Sequence, residues 1–156
     1  MRQVLLVAVL ALAACADTSV VATDIRPIAI SEPLFKSLYS NIPQPRRLVI
    51  RDEESWAKLW AQMVSAGVVQ NTPPVVDFDK EQIVVAAMGE RKAAGYEITI
   101  TGVERSGANL VVDVASTAPA PTCDRSEVIT TPLHAVRMTR TDEPIVFNET
   151  SVVLGC

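Results

Sequence analysis

An α+β fold is predicted, a mostly antiparallel β-sheet of five to six strands packed with one amphipathic helix. Three observations carry it. Trp56, Leu59, Trp60, Met63 and Val64 recur at i, i+3, i+4, i+7 and i+8, which places them on one continuous apolar stripe of a helix. "QIVVAAMG" (82–89) is an unbroken apolar run suited to a central strand covered on both faces. From Tyr96 onward, Ile98 and Ile100 alternate with Glu97, Thr99 and Thr101, the period-two pattern of a strand with one wet face.

Taken in chain order, the first element is not part of the fold. "MRQVLLVAVLALAAC" carries one basic residue, a short apolar run from Val4 to Leu12 and small residues before Cys15. That is the layout of an export signal (1–14), since a membrane-crossing helix needs about 20 apolar residues. Leu12–Cys15, "LAAC", resembles the bacterial lipobox, in which cleavage exposes a cysteine that carries acyl chains such as palmitate. On that resemblance Cys15 is the lipidation site and the membrane is the first partner. Each buried methylene adds about 0.8 kcal/mol of membrane affinity, so several acyl chains form a nearly permanent anchor. Ala16 after the cysteine resembles the sorting pattern for the outer membrane, facing the periplasm. An ordinary cleavage site followed by an incidental cysteine fits the same residues.

Residues 15–40 read as a tether and extended lead-in, with Pro27 and Pro33 and no sustained period. The domain proper is expected over 41–156. Leu48–Arg51 is a short strand, Asp52 an N-cap, Glu53 and Glu54 complement the helix dipole, and Gly67 is the expected stop. Both tryptophans lie on the apolar stripe, where core packing explains them better than a sugar-binding platform. "VVQNTPPVVDFDKE" connects to the central strand. Gly107 in "RSGAN" turns the alternating strand back into "LVVDVAS", and "LHAVRMTR" and "IVFNETSVV" complete the set.

The chain is mildly acidic, with a formal charge of −4, and its basic residues are scattered, which excludes a nucleic-acid-binding surface. Of three cysteines, Cys15 is assigned to the lipid, leaving Cys123 and Cys156 as a pair in an oxidising compartment; a disulfide is expected. Little else carries chemistry. His134 is the single histidine and shares a strand face with Val136 and Met138, the position of a hydrogen-bonded core residue. An enzyme using His134 with a carboxylate is the alternative, and it requires an exposed imidazole in a cleft. One histidine and two spare cysteines do not complete a zinc site, and Asp77, Asp79 and Glu81 of "DFDKE" lack the glycine and the terminal glutamate of a calcium loop. No metal, cofactor or catalytic residue is assigned, and no phosphate-cradling or nucleophile motif occurs.

"PRRLVIRDEESWAKLW", "VVDFDKEQIVVAAMGERKAAGYEITI" and "TTPLHAVRM" stand in an order and spacing similar to the C-terminal domain of the PrcB family, named for a subunit that stabilises a secreted protease complex. The resemblance covers roughly residues 40–150. It implies a non-catalytic, exported protein that binds a protein partner, such as a secreted or periplasmic protease, and stabilises or modulates it. Family members resemble Thr-Gly-Gly-Tyr at a corner where this chain has Ala93-Ala94-Gly95-Tyr96. The corner is also similar to the Thr-Thr-Gly-Tyr loop of chagasin-type cysteine-peptidase inhibitors. Arg91, Lys92, Ala94, Gly95 and Tyr96 are therefore the expected partner-binding residues: Gly95 supplies a positive φ, Tyr96 starts the strand, and Arg91 and Lys92 put positive charge on an acidic protein. A plain turn with a packed tyrosine accounts for the same residues, and a structural envelope lipoprotein without a specific client is a further alternative.

Overall fold

The computed structural model describes residues 26–28, 30–64 and 72–156; the expected export signal (1–14), the expected lipidation site Cys15 and the expected helix stop Gly67 lie outside these. In chain order the elements are β1 (Arg26–Pro27), β2 (Ile30–Ser37), β3 (Arg46–Ile50), α1 (Glu53–Val64), β4 (Glu81–Ala87), β5 (Glu97–Ser106), β6 (Asn109–Pro119), β7 (Leu133–Thr139) and β8 (Ile145–Leu154). The α+β class is as expected. The strands divide into two four-stranded sheets, ordered β1-β5-β6-β8 and β2-β7-β4-β3. All pairings between these strands are antiparallel except β6 with β8.

The division follows from β4. Its side chains alternate between two apolar clusters: Ile83, Val85 and Ala87 join Trp56, Leu59, Trp60 and Met63 of α1, while Val84, Ala86 and Met88 join Ile98, Ile100, Val112 and Val114 of β5 and β6. A strand that is apolar on both faces needs a layer on each side. The helix supplies one layer and the second sheet the other. β7 does the same, with Leu133 and Ala135 toward the helix and Val136 and Met138 toward the second sheet. The sheets begin inside the segment read as an extended lead-in, because β1 and β2 add to β5 and β7.

Local chemistry fixes the helix. The Asp52 carboxylate accepts from the Ser55 N–H at 2.7 Å, and the Trp56 N–H donates to the Asp52 carbonyl. That N-cap bond, chiefly, holds the Asp52 carboxyl below its ordinary pKa. At the other end the Asn41 side-chain amide donates to the Gln62 carbonyl at 3.1 Å, satisfying an acceptor of the last turn. The tryptophans are buried core residues. Trp56 packs at 5.2 Å from Trp60, which meets Phe35 of β2 edge-on at 5.5 Å, and the Trp56 indole N–H donates to the Pro74 carbonyl. "DFDKE" is a turn: Asp77 accepts from the Lys80 and Glu81 N–H groups through its carbonyl and from the Lys80 ammonium at 2.8 Å through its carboxylate. Among the described residues no cluster of metal-ligating side chains forms.

Cys123 and Cys156 form the expected disulfide, with Cα atoms 5.4 Å apart. It closes a 33-residue separation and fastens the end of β8 to the loop after β6. Chain entropy assigns such a loop roughly 3–4 kcal/mol. Replacing both cysteines by serine should lower the unfolding free energy by about that amount, measured by urea denaturation; a loss under about 1 kcal/mol would show that the bond constrains little.

Candidate functional site

The 89–96 corner is built by backbone pairing. Beyond β4, the Met88 N–H donates to the Pro132 carbonyl, Arg91 and Thr130 exchange two bonds of 2.8 Å, and the Ala94 N–H donates to the Ser126 carbonyl. The segment thus runs beside residues 126–132. On the other side of that stretch, Thr131 donates to the Leu38 carbonyl and Ser40 donates to the Thr131 carbonyl. Three segments distant in sequence therefore lie side by side at one end of the sheets.

Two glycines allow this course. Gly89 has φ +77°, and a Cβ there would stand 2.8 Å from Pro45, so the chain passes too close to the 43–45 segment for any side chain. Gly95 has φ +93°, the left-handed turn expected of it, and a Cβ would meet Pro119 at 3.2 Å. Nothing in the local sequence marks Gly89, which reads only as the end of an apolar run.

Of the expected binding residues, Arg91, Lys92, Ala94, Gly95 and Tyr96 are brought together. The Arg91 guanidinium stands 5.7 Å from the Tyr96 ring centroid, a cation–π contact. Tyr96 is half-buried and packs on the rim of the inter-sheet core, while Ala94 is half-buried and Lys92 exposed. Lys92, Ala93 and Tyr96 line an open cleft of about 350 Å³ with Cys123, Arg125 and Glu127. The disulfide thus sits in the cleft wall, and Arg125 adds a second cation to the lining that holds Lys92. Leu38, Tyr39 and Ile129 are exposed apolar side chains on the neighbouring segments. Nothing in the local sequence marks them; their placement depends on the pairing of Tyr39 with Thr131.

His134 stands apart from this corner. It is 3% exposed, and its Nδ1 accepts the Ile100 N–H at 2.8 Å. Ile100 lies where β5 runs past the two-residue β1, so among the described residues its N–H has no strand to pair with on that side. The imidazole supplies the acceptor from the other sheet. With Nδ1 accepting, the proton is on Nε2, which finds no partner among the described residues. Burial, reinforced by the charge of Lys36 and opposed by Glu97, pushes the His134 pKa down to about 4. Lys36 itself pairs with Glu97 and donates to Thr99 at 2.9 Å, closing the same seam. His134 has the position expected of a hydrogen-bonded core residue and lacks the exposure that an acid–base role requires.

Two face-to-face sheets with a helix outside one of them, and paired loops at one end carrying cations and aromatic groups, define a sandwich-like α+β domain. Residues 82–139 match the family model described as PrcB C-terminal, so that segment is similar to the PrcB C-terminal domain family. The matched stretch runs from β4 through β7 and contains the whole 89–96 corner. No curated protein and no solved structure matches significantly.

The single histidine gives a clean test of its burial. Because its folded pKa is below the unfolded value, the unfolded chain binds the extra proton, and stability present above pH 6.5 is lost as pH falls toward 4. Between pH 6.5 and 5 the unfolding free energy should fall by on the order of 1–2 kcal/mol. In His134→Gln the same interval should be nearly flat. A flat wild-type profile would mean that the imidazole titrates freely.

Proposed function

We propose that this chain is a non-catalytic module, anchored in the cell envelope through acylated Cys15, that binds a protein partner at the corner formed by 38–40, 89–96 and 123–131. The observation that carries this reading is the juxtaposition of Arg91 stacked on Tyr96, the Lys92 and Arg125 cations, and exposed Leu38, Tyr39 and Ile129 on adjoining paired segments. Half-buried aromatic groups beside arginine, rimmed by charge, are the composition of binding hot spots. A fixed backbone lowers the ordering cost of association. The match to the PrcB C-terminal family supports a protease-associated partner, stabilised or modulated by this contact. A client-free structural role is less well supported, because exposed apolar side chains cluster at the same end as the cations.

The test is a crosslinking capture from native envelope, comparing wild type with Arg91→Glu and with Tyr39→Ala combined with Ile129→Ser. These substitutions fall on surface groups, so near-native melting is expected. A single client, lost or reduced at least tenfold in both variants, is the expected result. Equal capture by all three would move the binding surface off this corner.

A further inference from the structure

The edges of the two sheets are not alike. β1 is two residues long and contains Pro27; β2 carries Pro33 and Lys36 and has register shifts on either side of Pro33; β3 is five residues long and begins Arg46-Arg47. Short length, proline, bulges and basic residues are the devices that keep an edge from pairing with another chain. β8 has none of them. It is ten residues, "IVFNETSVVL", in unbroken register with β6 from Leu110↔Ile145 to Pro119↔Leu154. Its one charge, Glu149, is drawn into a two-point contact with Arg47 of the other sheet, both bonds 2.9 Å. Val152 and Val153 are 51% and 63% exposed, and Val146 and Leu154 are each 48% exposed.

The backbone of β8 shows which groups are open. The Leu110 N–H donates to the Pro144 carbonyl and the Ala120 N–H to the Leu154 carbonyl. With the register unbroken between these ends, alternation along the ladder directs the even residues of β8 at β6. The odd residues, Ile145 to Val153, present their N–H and C=O groups outward.

We infer that β8 is a homotypic docking edge, pairing antiparallel with β8 of a second copy of this chain about a two-fold axis through Thr150. A two-fold axis normal to the sheet must pass through a residue paired with itself, because opposite residues share a face. Centring on Thr150 opposes Val146 with Leu154, Phe147 with Val153, Asn148 with Val152 and Glu149 with Ser151. Apolar ends meet apolar ends, and the threonine pair sits in the middle, a favourable cross-strand combination. Centring on Glu149 would oppose two carboxylates, and centring on Ser151 shortens the overlap. The outward odd residues supply the hydrogen bonds in the favoured register, so the two four-stranded sheets become one. The disulfide at Cys156 fixes the end of the strand and reduces the ordering cost.

Disulfide trapping in the cells that make the full chain tests the register. In the proposed pairing the Thr150 Cα atoms are about 4.5 Å apart, within bridging range. Thr150→Cys should give a covalent dimer that reduction abolishes. Asn148→Cys and Val152→Cys should not, since each lies roughly 13 Å from its own copy. Light scattering on the purified full chain should give the mass of two copies. Ser151→Pro removes only an outward N–H, and Thr150→Lys opposes two like charges at the axis; both should give the mass of one copy while keeping the 123–156 bridge. A wild-type mass of one copy at the highest soluble concentration would overturn the proposal. So would trapping that peaks away from residue 150, or a dimer that survives both Ser151→Pro and Thr150→Lys.

Discussion

Everything in this structure is arranged around a strand that has no wet side. Residues 83–87 of β4 are at most 1% exposed, so each successive side chain needs a hydrophobic neighbour on alternating faces. Fully burying one such aliphatic side chain is worth roughly 2 kcal/mol, and losing either covering layer would forfeit several of these terms together. The helix stripe and the β5–β6 hairpin are therefore not interchangeable decorations on a sheet. They are the two halves of the solution to one constraint. The polar exception is Gln82, which is fully buried and whose side-chain oxygen accepts from the Arg51 guanidinium at 3.0 Å.

Two stacked sheets leave seams, and polar groups close them at defined points. On one side His134 accepts the orphan Ile100 N–H while Lys36 reaches Glu97 and Thr99. On the other, Arg47 of β3 grips Glu149 of β8 at two points. Arg105 of β5 grips Glu143 in the same two-point manner, fixing the approach to β8. Bidentate arginine contacts fix direction as well as distance, so Arg47 with Glu149 sets how the two sheets lie on each other, and Arg105 with Glu143 sets the entry to β8 within one sheet, more than either adds stability. The neutral imidazole at the first seam fits this division of labour. A charged group there would be buried against Lys36.

How much of this the sequence disclosed depends on whether the deciding interaction is local. Asp52, the tryptophan stripe and the alternation from Tyr96 onward are local, and the N-cap, the buried helix face and β5 all appear where those residues place them. "QIVVAAMG" disclosed a strand buried on both faces, although the second sheet that covers it is an arrangement no single segment encodes. The parallel pairing of β8 with β6, and the recruitment of 26–37 into both sheets, depend on partners tens of residues away. The corner divides in the same way. Gly95 and Tyr96 were legible because a glycine before a strand has a local meaning. Gly89 was not, because its constraint is the passage of Pro45.

The disulfide links these levels. Residues 120–129 have no regular secondary structure, yet they supply Arg125 and Glu127 to the cleft beside Tyr96. Two restraints hold them there: the backbone bonds of Ala94 with Ser126 and Arg91 with Thr130, and the covalent tie of Cys123 to the end of β8. The backbone bonds alone span an exposed loop, where local opening costs little. The covalent tie removes that freedom, and it does so only where thiols oxidise. In a reducing compartment the same chain could keep both hydrophobic cores, since neither contains a cysteine, while one wall of the cleft and the last strand lost their common anchor. The shape of the corner is thus coupled to oxidation directly, whereas the two cores depend on it only through the stability that the bond adds.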